Sequence, residues 1–247
     1  MRRDTFVLAL LLSAVCVACS GCRVAPGKPT VGSEAARPDQ VLDFQTLYKQ
    51  NCAACHGQQG RNGAAVSLAN PVYVAFARVD NIQRIIAAGV PGTQMPPFGR
   101  AAGGMLTDLQ VQTLAHGIVD TWGRRDVVGE SVLPGYKASL IGDAARGQQA
   151  FATFCARCHG SDGRGNKTNR EGQIGPILDP SYLALVSDQS LRTAIVAGFL
   201  EEHMPDWRSD MTGAGARPMT DQEITDVVAW IASHRTATPG QPYQPHP

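Results

Sequence analysis

The chain has 247 residues, with 22 Lys and Arg against 21 Asp and Glu and a formal net charge of +1. A balance this even gives no electrostatic reason to expect a nucleic-acid partner. The seven cysteines are the informative part of the composition, because their placement decides what chemistry they serve.

Residues 1–22 read as an export signal: Arg2 and Arg3, an apolar run over 6–18, then small residues. That run is shorter than the ~20 apolar residues a membrane-spanning helix needs. Cys16, Cys19 and Cys22 fall where bacterial lipoproteins carry their lipidated first residue. The stretches Val17-Ala18-Cys19-Ser20 and Ser20-Gly21-Cys22-Arg23 both resemble a lipobox, though each lacks the usual aliphatic residue. Cys19 is the preferred lipidation site, Cys22 the alternative, and an ordinary cleaved signal the competing reading. Residues 23–40, rich in Pro, Gly, Ala and charge, read as a flexible tether. The expected location is the periplasmic side of a bacterial membrane, lipid-anchored.

Beyond the tether stands Cys52-Ala53-Ala54-Cys55-His56, which returns as Cys155-Ala156-Arg157-Cys158-His159. C-x-x-C-H is the attachment signature of c-type haem. Residues at i and i+3 share a helix face, so two thiols reach the two vinyl groups of one porphyrin, and the adjoining His turns onto the iron. Zinc knuckles and redox C-x-x-C pairs are the competing readings, and neither explains a His after the second Cys both times. Three cysteines belong to the leader and four to these motifs. None remains for a disulfide, and two covalent haem c groups are left to staple the fold.

The surroundings repeat as well. Asn70-Pro71-Val72-Tyr73 answers Asp179-Pro180-Ser181-Tyr182, Met95-Pro96-Pro97-Phe98 answers Met204-Pro205-Asp206-Trp207, and Leu106-Thr107-Asp108 answers Met219-Thr220-Asp221. Two homologous domains are expected over 41–125 and 140–235, joined by a linker over 126–139 and followed by a disordered tail over 236–247. Leu109, Val111, Leu114, Ile118 and Trp122 keep a helical period behind a Thr-Asp start, as do Ile224, Val227, Val228 and Ile231. The fold class is all-α: two tandem domains, each wrapped around one haem that supplies bulk to a thin core.

Each half resembles the class I cytochrome c family. The resemblance implies His56 and His159 as proximal iron ligands and the Met-Pro residues Met95 and Met204 as sixth ligands. Met105, Met211, Met219 and His203 are weaker candidates, since the repeat does not match them in both halves. The family also implies a Pro carbonyl that accepts the Nδ1–H of the proximal His. Gly175-Pro176 fits in the second half, whereas the first has Val66-Ser67. It implies a Gly against an aromatic where first and last helices cross. Gly147, Phe151 and Trp230 fit, and the first half shows the exchange of Phe44 for Gly147 and Gly117 for Trp230. A volume-conserving swap of this kind requires Phe44 to touch Gly117.

Two functional classes follow. The first is a dihaem electron relay without catalysis of its own. Its partners would be a quinol-oxidising complex and a terminal oxidase or soluble cytochrome. The second is a dihaem oxidoreductase, peroxidase or sulfur-compound oxidising, with one haem as catalytic centre. Such an enzyme needs an iron with an exchangeable position, and both halves have a Met to fill it. Residues 41–125 hold seven Lys/Arg against four Asp/Glu, and 140–235 nine against twelve. With Glu201, Glu202, Asp206 and Asp210 around Met204, the second haem is expected to meet a basic partner.

Overall fold

In the computed structural model, residues 36–124, 126–165, 167–168, 172–209 and 216–236 are described. The leader cysteines, most of the tether, Asp210, Met211 and the tail from 237 lie outside them. Residues 36–40 form a unit separate from 41–247 and contribute one 3-10 turn, Pro38–Gln40.

The larger unit runs through the same series of elements twice. Helix α1 (Phe44–Asn51) leads through Cys52 into the single turn α2 (Ala53–His56). Helix α3 (Pro71–Ala88) and helix α4 (Asp108–Trp122) complete the first half. In the second half, α5 (Ala144–Phe154) and α6 (Ala156–His159) repeat α1 and α2. Then α7 (Pro180–Leu185) and α8 (Asp188–Ala197) stand for the single α3, and α9 (Asp221–Ala232) stands for α4. Helix α3 itself is broken at Arg78, whose φ of 60° is not helical. In the second half that register position is Ser187, the N-cap of α8. The only β structure in strands among the described residues is the pair Lys167–Thr168 and Gly172–Gln173.

Local chemistry accounts for the helix starts. Asn70 and Asp179 accept backbone N–H groups just ahead of Pro71 and Pro180, where a missing proline N–H costs nothing. Thr107 with Gln110, and Thr220 with Glu223, form full capping boxes.

Each half has its own core. Leu47, Tyr48, Ile82, Ile86, Leu114 and Ile118 anchor one; Phe151, Leu191, Val196, Trp207, Ile224 and Ile231 anchor the other. Leu109, expected on the apolar stripe of α4, is exposed. The cores exchange residues: Ala197 packs into the first, Val72 and Phe76 into the second. Residues 126–139 are an ordered strap. The buried guanidinium of Arg192 donates to Gly135 O at 2.8 and 3.0 Å, and Gln189 Nε2 to Tyr136 O at 2.9 Å. Tyr136 rests on Phe76 with centroids 5.2 Å apart.

The first and last helices of each half cross through a glycine. A Cβ on Gly147 would lie 2.0 Å from Asp226 O and 2.8 Å from Trp230 Cβ. A Cβ on Gly117 would lie 2.1 Å from the Phe44 ring. The exchange anticipated from the sequence is therefore made, with glycine and aromatic trading helices. The second crossing is further clamped by Asp226, which accepts from Arg146 Nε and Nη2 at 2.8 and 2.9 Å and from Asp143 N at 2.7 Å.

Candidate haem sites

The two C-x-x-C-H turns have the same build. In each, a regular helix stops at the first Cys, and one further turn carries the second Cys and the His. Gly57 and Gly160 then end the turn with φ of 81° and 76°. The left-handed region admits glycine at no steric cost. At Gly57 a Cβ would also sit 1.8 Å from Arg61 O, so no other residue fits the loop that follows.

Burial, aided by the neighbouring Cys of each pair, pushes the Cys52 and Cys155 thiols up to about 12. Redox C-x-x-C chemistry needs a thiolate near neutral pH, and these thiols are the reverse. Zinc would need convergent ligands, yet among the described residues no three His, Cys, Asp or Glu converge on one point. What remains is a pair of thiols on one turn, suited to thioether attachment.

The imidazoles fit the same use. Burial lowers the pKa of His56, against a smaller upward pull from its bond to Val66, and burial alone lowers that of His159. Neutral imidazole is the form that ligates metal. His56 Nδ1 lies 2.8 Å from Val66 O, leaving Nε2 for the iron.

The second half departs from expectation here. His159 Nδ1 is buried without a hydrogen-bond partner, so Pro176 is not its acceptor in this structure. The two loops differ in length: Val66 follows His56 by ten residues, whereas Pro176 follows His159 by seventeen. Gly165 N bonds His159 O at 2.8 Å and Ile177 N bonds Gly163 O at 3.0 Å. The family's contact sits where the sequence pattern for it is absent.

Both Met loops leave a helix through a left-handed glycine. Gly89 (φ 68°) ends α3, and a Cβ on it would lie 2.7 Å from Met95 O. Gly198 (φ 66°) ends α8, and a Cβ there would lie 2.6 Å from Met204 O. Val90 N bonds Met95 O at 3.0 Å; Phe199 and Met204 exchange backbone bonds at 3.0 Å in both directions. Met95 and Met204 are half-buried in these loops. The weaker candidates are placed otherwise: Met105 is 83% exposed, Met219 is packed in the core, and His203 is exposed. In each half the residues fit a covalently attached haem with one imidazole and one thioether ligand.

Two residues at the first site, Tyr48 and Gly60, carry no signal in the sequence. Tyr48 donates its hydroxyl to Gly57 O at 2.8 Å, and Trp122 closes on it with centroids 5.1 Å apart. A Cβ on Gly60 would meet the Trp122 ring at 2.9 Å. An aromatic cluster thus braces the first motif, where Phe151 against Trp230 at 4.4 Å serves near the second.

Comparison with known families agrees with this geometry. A model described as cytochrome c oxidase, cbb3-type, subunit III matches residues 39–116, and one described as cytochrome c matches residues 144–235. The chain consists of two tandem cytochrome c domains. Two covalent haem c groups, one to a domain, go with that assignment. Among curated proteins it is similar to the cbb3-type cytochrome c oxidase subunit FixP of Bradyrhizobium sp. (strain ORS 278), 32% identical over 66% of this chain and 53% of that protein. FixP of Sinorhizobium medicae is 31% identical over 49% of this chain and 39% of its own length. Subunit CcoP of Cereibacter sphaeroides is 26% identical over 74% and 61%. The chain thus spans about half the length of the curated relatives it matches. Among the described residues no helix is long and apolar enough to cross a membrane.

Proposed function

We propose that this protein is a dihaem electron relay. Cys52 and Cys55 hold one haem and Cys155 and Cys158 the other, with His56 and Met95, and His159 and Met204, as the axial pairs. A haem held by His and Met exchanges single electrons at its edge, has no open iron position, and works at a raised potential. The chain's own residues keep the imidazoles neutral and hold each Met loop at a left-handed glycine. The observation that carries the reading is that both Met-Pro loops are pinned in the same way behind the helix that precedes them. A catalytic haem would need one loop to yield its iron position, and the two are built alike.

The relatives named as cbb3-type oxidase subunits support a respiratory setting. In this reading the chain sits on the periplasmic side of the membrane, anchored through Cys19 or Cys22, with 23–40 as a tether reaching up to ~60 Å when extended. It takes electrons from a quinol-oxidising complex and hands them towards a terminal oxidase or soluble cytochrome. The test is the long-wavelength Met-to-ferric-haem absorption band of the purified protein. Two Met-ligated haems and no turnover of peroxide or sulfur compounds are expected. One missing band accompanied by turnover would replace the relay with an enzyme. Copurification in mild detergent identifies the complex it serves.

A further inference from the structure

The two domains are joined at the second Met loop by one buried amide. Asn70 is 5% exposed. Its Oδ1 caps α3, accepting from Val72 N at 2.9 Å and Tyr73 N at 3.2 Å. Its Nδ2 faces the other domain and donates to Ala197 O at 2.9 Å and Gly198 O at 3.3 Å. Ala197 ends α8, and Gly198 is the left-handed residue from which the Met204 loop departs. The orientation of those two carbonyls fixes the direction in which the loop leaves the helix, and the backbone pair between Phe199 and Met204, 3.0 Å in both directions, passes it on.

We infer that Asn70 is a positioning residue for Met204: the first domain holds in place the loop that presents the sixth ligand in the second. The inference rests on the reading of Met204 as that ligand. The repeat gives a built-in comparison. Asp179, the counterpart of Asn70, makes the same cap, accepting from Ser181 N at 2.9 Å and Tyr182 N at 3.0 Å. A carboxylate has no N–H to give, whereas an amide accepts and donates at once. Asp and Asn cap equally well, so capping does not explain the amide at 70. The neighbouring carbonyls do.

The segment carrying Asn70 reaches further. Val66 O takes His56 Nδ1, and Ser67 Oγ lies 3.2 Å from Gly60 O and 3.4 Å from Glu201 Oε1 on the Met204 side. One short stretch, 66–70, therefore touches the proximal ligand of the first site and the Met loop of the second.

The test uses the full chain with both haems attached and exogenous imidazole as a competitor for the Met positions. Met95→Ala and Met204→Ala assign the two bands. Asn70→Asp keeps the cap, removes the donor and adds charge; Asn70→Ser keeps the cap, stays neutral and cannot reach. Asp179→Asn is the control. Both Asn70 variants should bind imidazole at the second haem about tenfold more tightly than wild type, equivalent to about 1.4 kcal/mol. The first haem and the Asp179→Asn control should move less than about twofold on the same scale. Unchanged affinity at the second haem in both Asn70 variants, with the Met204 band intact, overturns the role of Asn70 alone. A Met204→Ala protein with an unaltered second-haem spectrum removes Met204 as ligand, and this inference with it.

Discussion

Gly147 and Gly117 stand at equivalent crossings, yet what each faces differs in kind. Gly147 lies against the Asp226 carbonyl, which belongs to a helix backbone and cannot move away alone. Gly117 lies against the Phe44 ring, a side chain that can be removed. Overpacking a close-packed core costs about 1–3 kcal/mol. Gly147→Ala should therefore lower the unfolding midpoint of the haem-bound protein, and trimming Phe151 should not restore it. Gly117→Ala should destabilise by a similar ~1–3 kcal/mol, and Phe44→Ala in the same chain should recover ~1 kcal/mol or more of that loss as a coupling energy. Denaturant unfolding followed by circular dichroism measures both. A Gly117→Ala and Phe44→Ala pair that is simply additive would mean the ring is not what glycine makes room for. This exchange was legible in the sequence because residue volumes at aligned positions are visible there. The hydrogen bond from His56 to Val66 was not. A backbone carbonyl is common to every residue, and only the path of the loop decides which one arrives.

At the scale of elements, α4 and α9 start with the same capping box but only one of them titrates. Glu223 is held at about 2 against an ordinary 4.5, chiefly by hydrogen bonds from Arg217, opposed by burial and aided by the Thr220 N–H and hydroxyl. Arg217 Nη1 and Nη2 approach it at 2.8 and 2.5 Å. A carboxyl whose pKa is lowered on folding adds stability above its unfolded pKa and loses it as pH falls through the folded one. Glu223→Gln should thus cost about 0.3–1 kcal/mol near neutral pH, the usual worth of a charge at a helix N-terminus. That difference should shrink from pH 4.5 downwards and vanish near pH 2, the interval set by the two values. Gln110 fills the same position in α4 without a charge, so Gln110→Ala should cost an amount independent of pH over that range. Thermal unfolding across the acid range checks both, and a Glu223→Gln difference that stays constant to pH 2 contradicts the assignment. The Thr-Asp helix starts and the paired Met-Pro loops were readable from the chain, since each shows as a short local pattern that the repeat displays twice. The docked strap over 126–139 was not. Gly129, Pro134 and Gly135 signal a linker, whereas its fixed path comes from Arg192 and Gln189, more than fifty residues away in sequence.

For the whole molecule, charge separates the two sites, and the structure narrows which charges matter. Asp206 is paired with Arg208 at 2.5 Å, and Arg208 also donates to Val127 O and lies over the Trp207 ring. Its charge is spent internally. Asp210 lies outside the described residues. Glu201 and Glu202 are exposed on the 3-10 turn Leu200–Glu202, within the Met204 loop. On the first domain an exposed Arg100 opens the 3-10 turn Arg100–Ala102, on the far side of Met95. Exposed charges act on encounter more than on bound affinity, and salt screens them over ~8 Å at physiological ionic strength. With a lysine-rich c-type cytochrome as probe, electron transfer at the second site should slow as salt is raised. Glu202→Gln should lower the low-salt rate several-fold, and that difference should disappear at high salt. Glu202 is the cleaner site, because Glu201 also approaches Ser67 of the first domain. An acidic probe should favour the first site instead, again slowing as salt is raised and weakening in Arg100→Gln. Stopped-flow kinetics across ionic strength decides the matter. Rates indifferent to salt and to both substitutions would mean that apolar contact, not charge, selects the partner at each haem.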